Sequence, residues 1–175
     1  MSELDEAWTV VLAEAEQRAK AAGRGDIADY LSLRNSNDLL RKAGVDWLLQ
    51  TFTVWAGEAN RQGASLRTAS DQQHRFRVGN STMVGTLLTF NSGVRTLFVE
   101  TGWPRTPRDG IVRGGGLACA GIRHLGIKSA AEELLLTKTA SGVPSWSLTG
   151  ESKRRGIFHE SDIRSHFNLL LDHKE

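Results

Sequence analysis

The spacing of apolar residues changes at Gly63: before it they recur every three or four positions, and after it they tend to alternate with polar ones. The first period belongs to helices and the second to strands, so the chain is limited to a mixed architecture. The expected fold class is α+β, with N-terminal helices, one of them long, packed on a mainly antiparallel sheet and followed by a C-terminal helix. A single domain is expected, with residues 1–63 as a helical layer, 64–160 as a mainly β layer and 161–175 as the closing helix. A core of this size needs neither a metal nor a disulfide to hold it.

In the helical part, Leu4, Trp8, Val11, Leu12, Ala15, Ala19 and Ala22 form one amphipathic stripe that Gly23 and Gly25 stop. A short helix from Asp26 to about Leu33 should follow, then Asn35-Ser36-Asn37, then a longer helix to about Gln62. Leu39, Leu48, Phe52 and Trp55 share one side of that helix, while Leu40, Trp47, Leu49 and Val54 spread apolar surface around the rest. Such a helix is covered on more than one side, either as a central packing element or as the seam of a homodimer through residues 37–62.

Beyond a polar connector over Ala64–Gln73, strands are expected at His74–Val78, Thr82–Phe90 and Val94–Thr101. Gly79-Asn80-Ser81 and Asn91-Ser92-Gly93 are read as three-residue hairpin turns. Further strands fit Glu133–Thr139, Trp146–Leu148 and Arg155–Phe158, Ala118–His124 fits helix or strand, and Ser161 caps the last helix. With these turns, Glu100 pairs with Val84 and shares an apolar face with Phe98 and Phe76, where a carboxylate needs a paired cation or a raised pKa. Arg105, Arg108 and Arg113 are the cations nearest in sequence. The same register holds His74 roughly 12 Å from Glu100, which leaves His124 or His159 as the histidine to serve it.

Charge is unevenly divided. Residues 1–63 carry a net −3 and residues 64–160 a net +6, most of the latter from arginine. A basic middle attracts nucleic acid or another anion. The single Cys119 and the acidic opening Met1-Ser-Glu-Leu-Asp-Glu point to a cytoplasmic protein, and no apolar run approaches the ~20 residues of a membrane span. His159, His166 and His173 repeat every seven residues, but His166 and His173 would be about 10 Å apart along a helix, too far to share one ion, so neither a metal nor a cofactor is expected. Cys119 lacks a base at helical spacing and reads as a small buried hydrophobe.

The segment from Glu100 to Gly116 concentrates the chemistry. Its prolines and glycines mark a shaped loop, and it carries Glu100, Arg105, Arg108, Asp109 and Arg113 before Gly114-Gly115-Gly116. A helix starting at Leu117 would turn the amides of that triplet into an anion cradle. Arg75, Arg77, Arg105, Arg108, Arg113 and Gly114, Gly115 and Gly116 are therefore the candidate anion-binding residues, and Glu100 and Asp109 the candidate catalytic pair. Three readings follow: a binding module for an anionic partner, foremost nucleic acid held through backbone phosphates; an enzyme acting on a phosphorylated or anionic small molecule; or a dimeric interaction or regulatory subunit.

Overall fold

The computed structural model of the chain describes residues 3–149 and 156–171, with side chains from Ala7 onward. Its elements are α1 (Glu3–Ala21), α2 (Gly25–Arg61), β1 (Arg67–Val78), β2 (Ser81–Ser92), β3 (Arg95–Trp103), β4 (Ala118–His124), β5 (Ile127–Lys138), β6 (Pro144–Thr149), β7 (Gly156–Ile157) and α3 (Glu160–Leu171). The seven strands form one antiparallel sheet in sequence order, a meander, so the fold is α+β. The chain divides into two compact units, Met1–Lys42 and Ala43–Glu175.

In the first unit, α1 and the opening turns of α2 bury Leu12, Ala19 and Ala28, and the Arg34 guanidinium lies 5.7 Å from the Trp8 ring centre. The break expected at Asn35-Ser36-Asn37 is absent, and α2 runs through it as one helix of 37 residues. Asn and Ser cost a helix interior only fractions of a kcal/mol each, and neither Gly nor Pro interrupts that stretch.

In the second unit, the remainder of α2 and α3 cover one sheet face. Phe52 on α2, Phe90 on β2 and Phe167 on α3 pack with ring centres 5.4–6.2 Å apart. Gly44 lets α2 approach β5, because a Cβ there would stand 2.7 Å from Leu136 Cδ2, and the indole Nε1 of Trp146 donates to the Gly44 carbonyl at 2.8 Å. Asp162 accepts from the His159 backbone N–H at 2.8 Å and fixes the first turn of α3.

β1 begins at Arg67, not His74: its first seven residues are exposed along an edge strand with no buried face, so they show no alternation. Ala118–His124 is strand β4. Of the strand expected at Arg155–Phe158, Arg155 lies outside the described residues, and β7 is confined to Gly156–Ile157. Among the described residues no helix is long and apolar enough to cross a membrane.

Register departs most from expectation. The two hairpin turns are two-residue turns, Gly79-Asn80 and Gly93-Val94, with both glycines at φ 58. Such turns demand positive φ, which glycine supplies without a Cβ penalty. Glu100 consequently pairs with Leu87, three residues from the expected Val84. His74 pairs with Gly85, after an irregularity between Asp71 and His74, and Gly85 pairs with Gly102. A Cβ on Gly85 would collide with the Thr101 carbonyl, and one on Gly102 would stand 2.7 Å from the Val84 oxygen. The two backbones meet more closely than side chains permit, and paired glycines of this kind let a sheet curl. The end of β1 thereby reaches over the face opposite the helices.

Candidate functional site

The curl produces a contact that the expected register forbade. His74 Nε2 lies 2.8 Å from Glu100 Oε2, and no side chain on Gly85 or Gly102 stands between them. Arg123 Nη2 donates to the same Oε2 at 3.2 Å from β4, its guanidinium also lying 5.8 Å from the Phe98 ring centre. Glu100 is buried, so its carboxylate requires such compensation. The partners are neither Arg105, Arg108 nor Arg113, and neither His124 nor His159.

Asp109 is equally buried but differently employed. It accepts from the backbone N–H groups of Arg105 (3.2 Å) and Thr106 (3.0 Å), the Thr106 hydroxyl (3.0 Å) and Arg75 Nη2 (2.8 Å). Hydrogen bonding from Thr106, foremost among these, holds its carboxyl below the usual carboxylate range. Asp109 therefore ties the loop to β1. Ser81 ties it to β2, donating to the Ile111 carbonyl at 2.8 Å and accepting from the Ile111 N–H at 3.2 Å. Gly116 seats its far end, since a Cβ there would overlap Val112 and Leu135. The glycine triplet leads into strand β4, so no helix start presents its amides.

Between this loop and the curled sheet lies a pocket of about 370 Å³. Phe76, Val78 and Leu135 supply apolar wall, and Glu100, Gly121 and Cys119 lie along the strands that line it. That volume falls within the range of small-ligand sites. Arg77, Arg113, Arg123, Glu132 and Glu133 also border it. Arg123 is paired with Glu100, and the Glu132 carboxylate lies 3.2 Å from His166 Nε2 on the helix-covered face. Neither Arg77 nor Arg113 makes an ion pair with a described residue, and the Arg113 guanidinium passes over the turn at Gly79. Burial, reinforced by Glu133, pushes the Cys119 thiol up to about 11, which keeps it protonated and a poor nucleophile at neutral pH.

Of the candidate residues, Glu100, Arg77, Arg113 and Gly114 border this pocket. Asp109 and Arg75 form the loop tie, Arg105 stacks on Trp103 at 3.6 Å and donates to the Val84 carbonyl, Arg108 is exposed, and Gly115 and Gly116 shape the loop. Lys153, Arg154 and Arg155, which would extend a basic surface, lie outside the described residues, as does His173. The sequence reading set Phe76 on the face of Glu100 but excluded His74 as its partner and assigned neither Gly121 nor Arg123 to it. Glycines inside strands, at 85, 102 and 121, were the available signal, since a strand glycine marks a bend or a close approach.

On the helix-covered face, His124 Nε2 lies 3.0 Å from His166 Nδ1, making a buried chain from β4 through α3 to Glu132. Burial, with the neighbouring His166, pushes His124 down to about 4, so it packs as a neutral ring. Among the described residues no group of three or more His, Cys, Asp or Glu could hold a metal ion. No protein-family model matches the chain, and neither a curated protein nor a solved structure matches it.

Proposed function

We propose that this chain is a binding module for a small organic anion, held in the pocket between the curled sheet and the loop, with Arg113 facing the anion's charge. One observation carries the reading: in an apolar-walled pocket of about 370 Å³, Glu100 is paired with Arg123 and Glu132 turns to His166 on the helix-covered face, while Arg77 and Arg113 have no ion-pair partner among the described residues. Arg77 and Arg113, both exposed, outnumber Glu133 by one positive charge at the rim of the pocket, and a positive rim favours an anionic guest. Several arginines that would serve a nucleic-acid surface are engaged within the fold, Arg75 on Asp109 and Arg105 on Trp103. This favours a small anion over nucleic acid held through its phosphates.

An enzyme acting on such a molecule is the second reading. Asp109 is saturated with donors, so any acid or base step would fall to Glu100 alone. A homodimer through residues 37–62 remains part of the proposal, supported in the second unit by exposed Trp47 and Val54 on α2. A cytoplasmic setting fits the one free thiol at Cys119.

Calorimetric titration with sugar phosphates, nucleoside monophosphates and hydroxycarboxylates, alongside labelled DNA and RNA at several salt concentrations, tests the reading. Saturable binding of a small anion, weakened about tenfold by Arg113→Ala and little by Arg108→Ala, is expected. Salt-dependent nucleic-acid binding with no small-anion binding would overturn it.

A further inference from the structure

The two oxygens of Glu100 are not equivalent. Oε2 takes both the His74 and Arg123 contacts, and no described donor reaches Oε1. Yet no buried side-chain oxygen or nitrogen among the described residues lacks a partner, so Oε1 keeps some access to open space. That space is the pocket, which both Glu100 and Gly121 border. Gly121 clears the approach: a Cβ there would stand 3.1 Å from Oε1. The carboxylate is thus gripped by one oxygen from the side of the sheet and offered by the other to a guest.

What Oε1 would accept follows from the charge around it. Arg123 already balances Glu100, and Glu133, across Gly121 in the same row, borders the pocket opposite the cations Arg77 and Arg113, so a neutral hydroxyl at Oε1 leaves this charge distribution undisturbed. A hydroxyl also gains from an ionised acceptor, where hydrogen bonds are stronger than between neutral groups. Arg113 borders the same pocket and suits an anionic group, and Phe76, Val78 and Leu135 offer apolar wall to a flat or aliphatic middle. A ribonucleoside monophosphate combines a hydroxyl, a flat base and a phosphate at this size. Carboxylates recognise ribose hydroxyls in other nucleotide sites by the same chemistry.

We propose that Glu100 is the ligand-reading residue of the pocket: its Oε1 accepts a hydrogen bond from the sugar hydroxyl of a ribonucleoside monophosphate whose phosphate faces Arg113. This rests on the small-anion reading of the same pocket. His74 and Arg123 are positioning residues, since they hold Oε2 and leave Oε1 to the ligand.

The test compares AMP, GMP, CMP and UMP with their 2′,3′-dideoxy counterparts by calorimetry on the full chain, Glu100→Gln, Gly121→Ala and Arg113→Ala. At least one ribonucleotide should bind the wild-type chain roughly tenfold or more tightly than its dideoxy form, the scale of a hydrogen bond to a charged group. Glu100→Gln should shrink that ratio severalfold. Gly121→Ala, which keeps the carboxylate but crowds Oε1, should do the same with an unchanged circular dichroism spectrum. Arg113→Ala should weaken both forms alike and leave their ratio intact. Equal affinity for ribo and dideoxy forms in the wild-type chain would overturn the role of Glu100 while leaving the anion pocket standing. If none of the eight nucleotides binds, the nucleotide proposal falls; whether hydroxycarboxylates or sugar phosphates still bind then decides the fate of the small-anion reading separately.

Discussion

Glu100 and Asp109 lie nine residues apart and are buried alike, with side-chain exposures of 12% and 10%, yet they do different work. Asp109 meets four donors spread over both oxygens, three of them from Arg105 and Thr106 in its own loop. Glu100 meets two donors on one oxygen, both from distant strands, and borders a pocket. A buried carboxylate enclosed by local amides is a structural tie; one gripped from a single side can still engage a guest. The contrast shows that burial alone does not mark a site, and that the distribution of donors over the two oxygens does.

The largest expected effect comes from removing the geometry on which Glu100 depends. Gly102→Ala puts a Cβ 2.7 Å from the Val84 oxygen, a backbone atom that cannot swing aside. Urea unfolding should show a loss of about 3 kcal/mol, and ligand binding should go with it because the curl that brings His74 to Glu100 is opened. A stability within about 0.5 kcal/mol of wild type would mean that the Gly85–Gly102 approach does not hold the curl.

Asp109→Ala should lower the urea midpoint less than Gly102→Ala but clearly, since it strands the Thr106 and Arg105 amides and releases Arg75. Acid sharpens the comparison further. The unfolded chain protonates His124 near pH 6.5, whereas the folded chain resists until about 4, so stability is complete above pH 6.5 and falls as pH drops between those values, by on the order of 3 kcal/mol. Asp109 acts later: its depressed folded pKa gives stability that is present above the ordinary carboxylate pKa and lost only as pH falls below about 3.8. Melting curves from pH 8 to 3 should therefore show two declines, and His124→Asn should abolish the first. The smallest stability change is expected for Glu100→Gln, under about 1 kcal/mol, because its Arg123 partner is 53% exposed and falls back on water.

The elements were largely legible and their register was not. The alternation from Thr82 onward and the Ile163-Phe167-Leu170 stripe of α3 each reflect one buried face, and periodicity reports a buried face directly; of the stripe expected on α1, Leu12 and Ala19 are buried while Trp8 and Val11 are exposed. Arg67–Gln73 escaped because an edge strand exposed throughout has no face to report. Register depended on whether Gly79-Asn80 and Gly93-Val94 formed two- or three-residue turns, a choice that apolar patterning barely constrains when both faces of β2 and β3 are partly covered. That displacement of three residues moved Glu100 from Val84 to Leu87 and hid its pairing with His74. Glu100 was still singled out correctly as a carboxylate in apolar surroundings, whereas its partner Arg123 came from a segment whose strand character was itself undecided.

Differential scanning calorimetry of the wild-type chain, Glu100→Gln and Asp109→Asn, each with and without a saturating ribonucleoside monophosphate, tests the division of labour most directly. Ligand should raise the wild-type Tm, and that rise should shrink markedly in Glu100→Gln while its ligand-free Tm stays close to wild type. Asp109→Asn should melt several degrees lower without ligand and still show most of the ligand-induced rise, because Ser81 and Gly116 continue to seat the loop. The reverse pattern, a full ligand shift in Glu100→Gln and none in Asp109→Asn, would contradict the account.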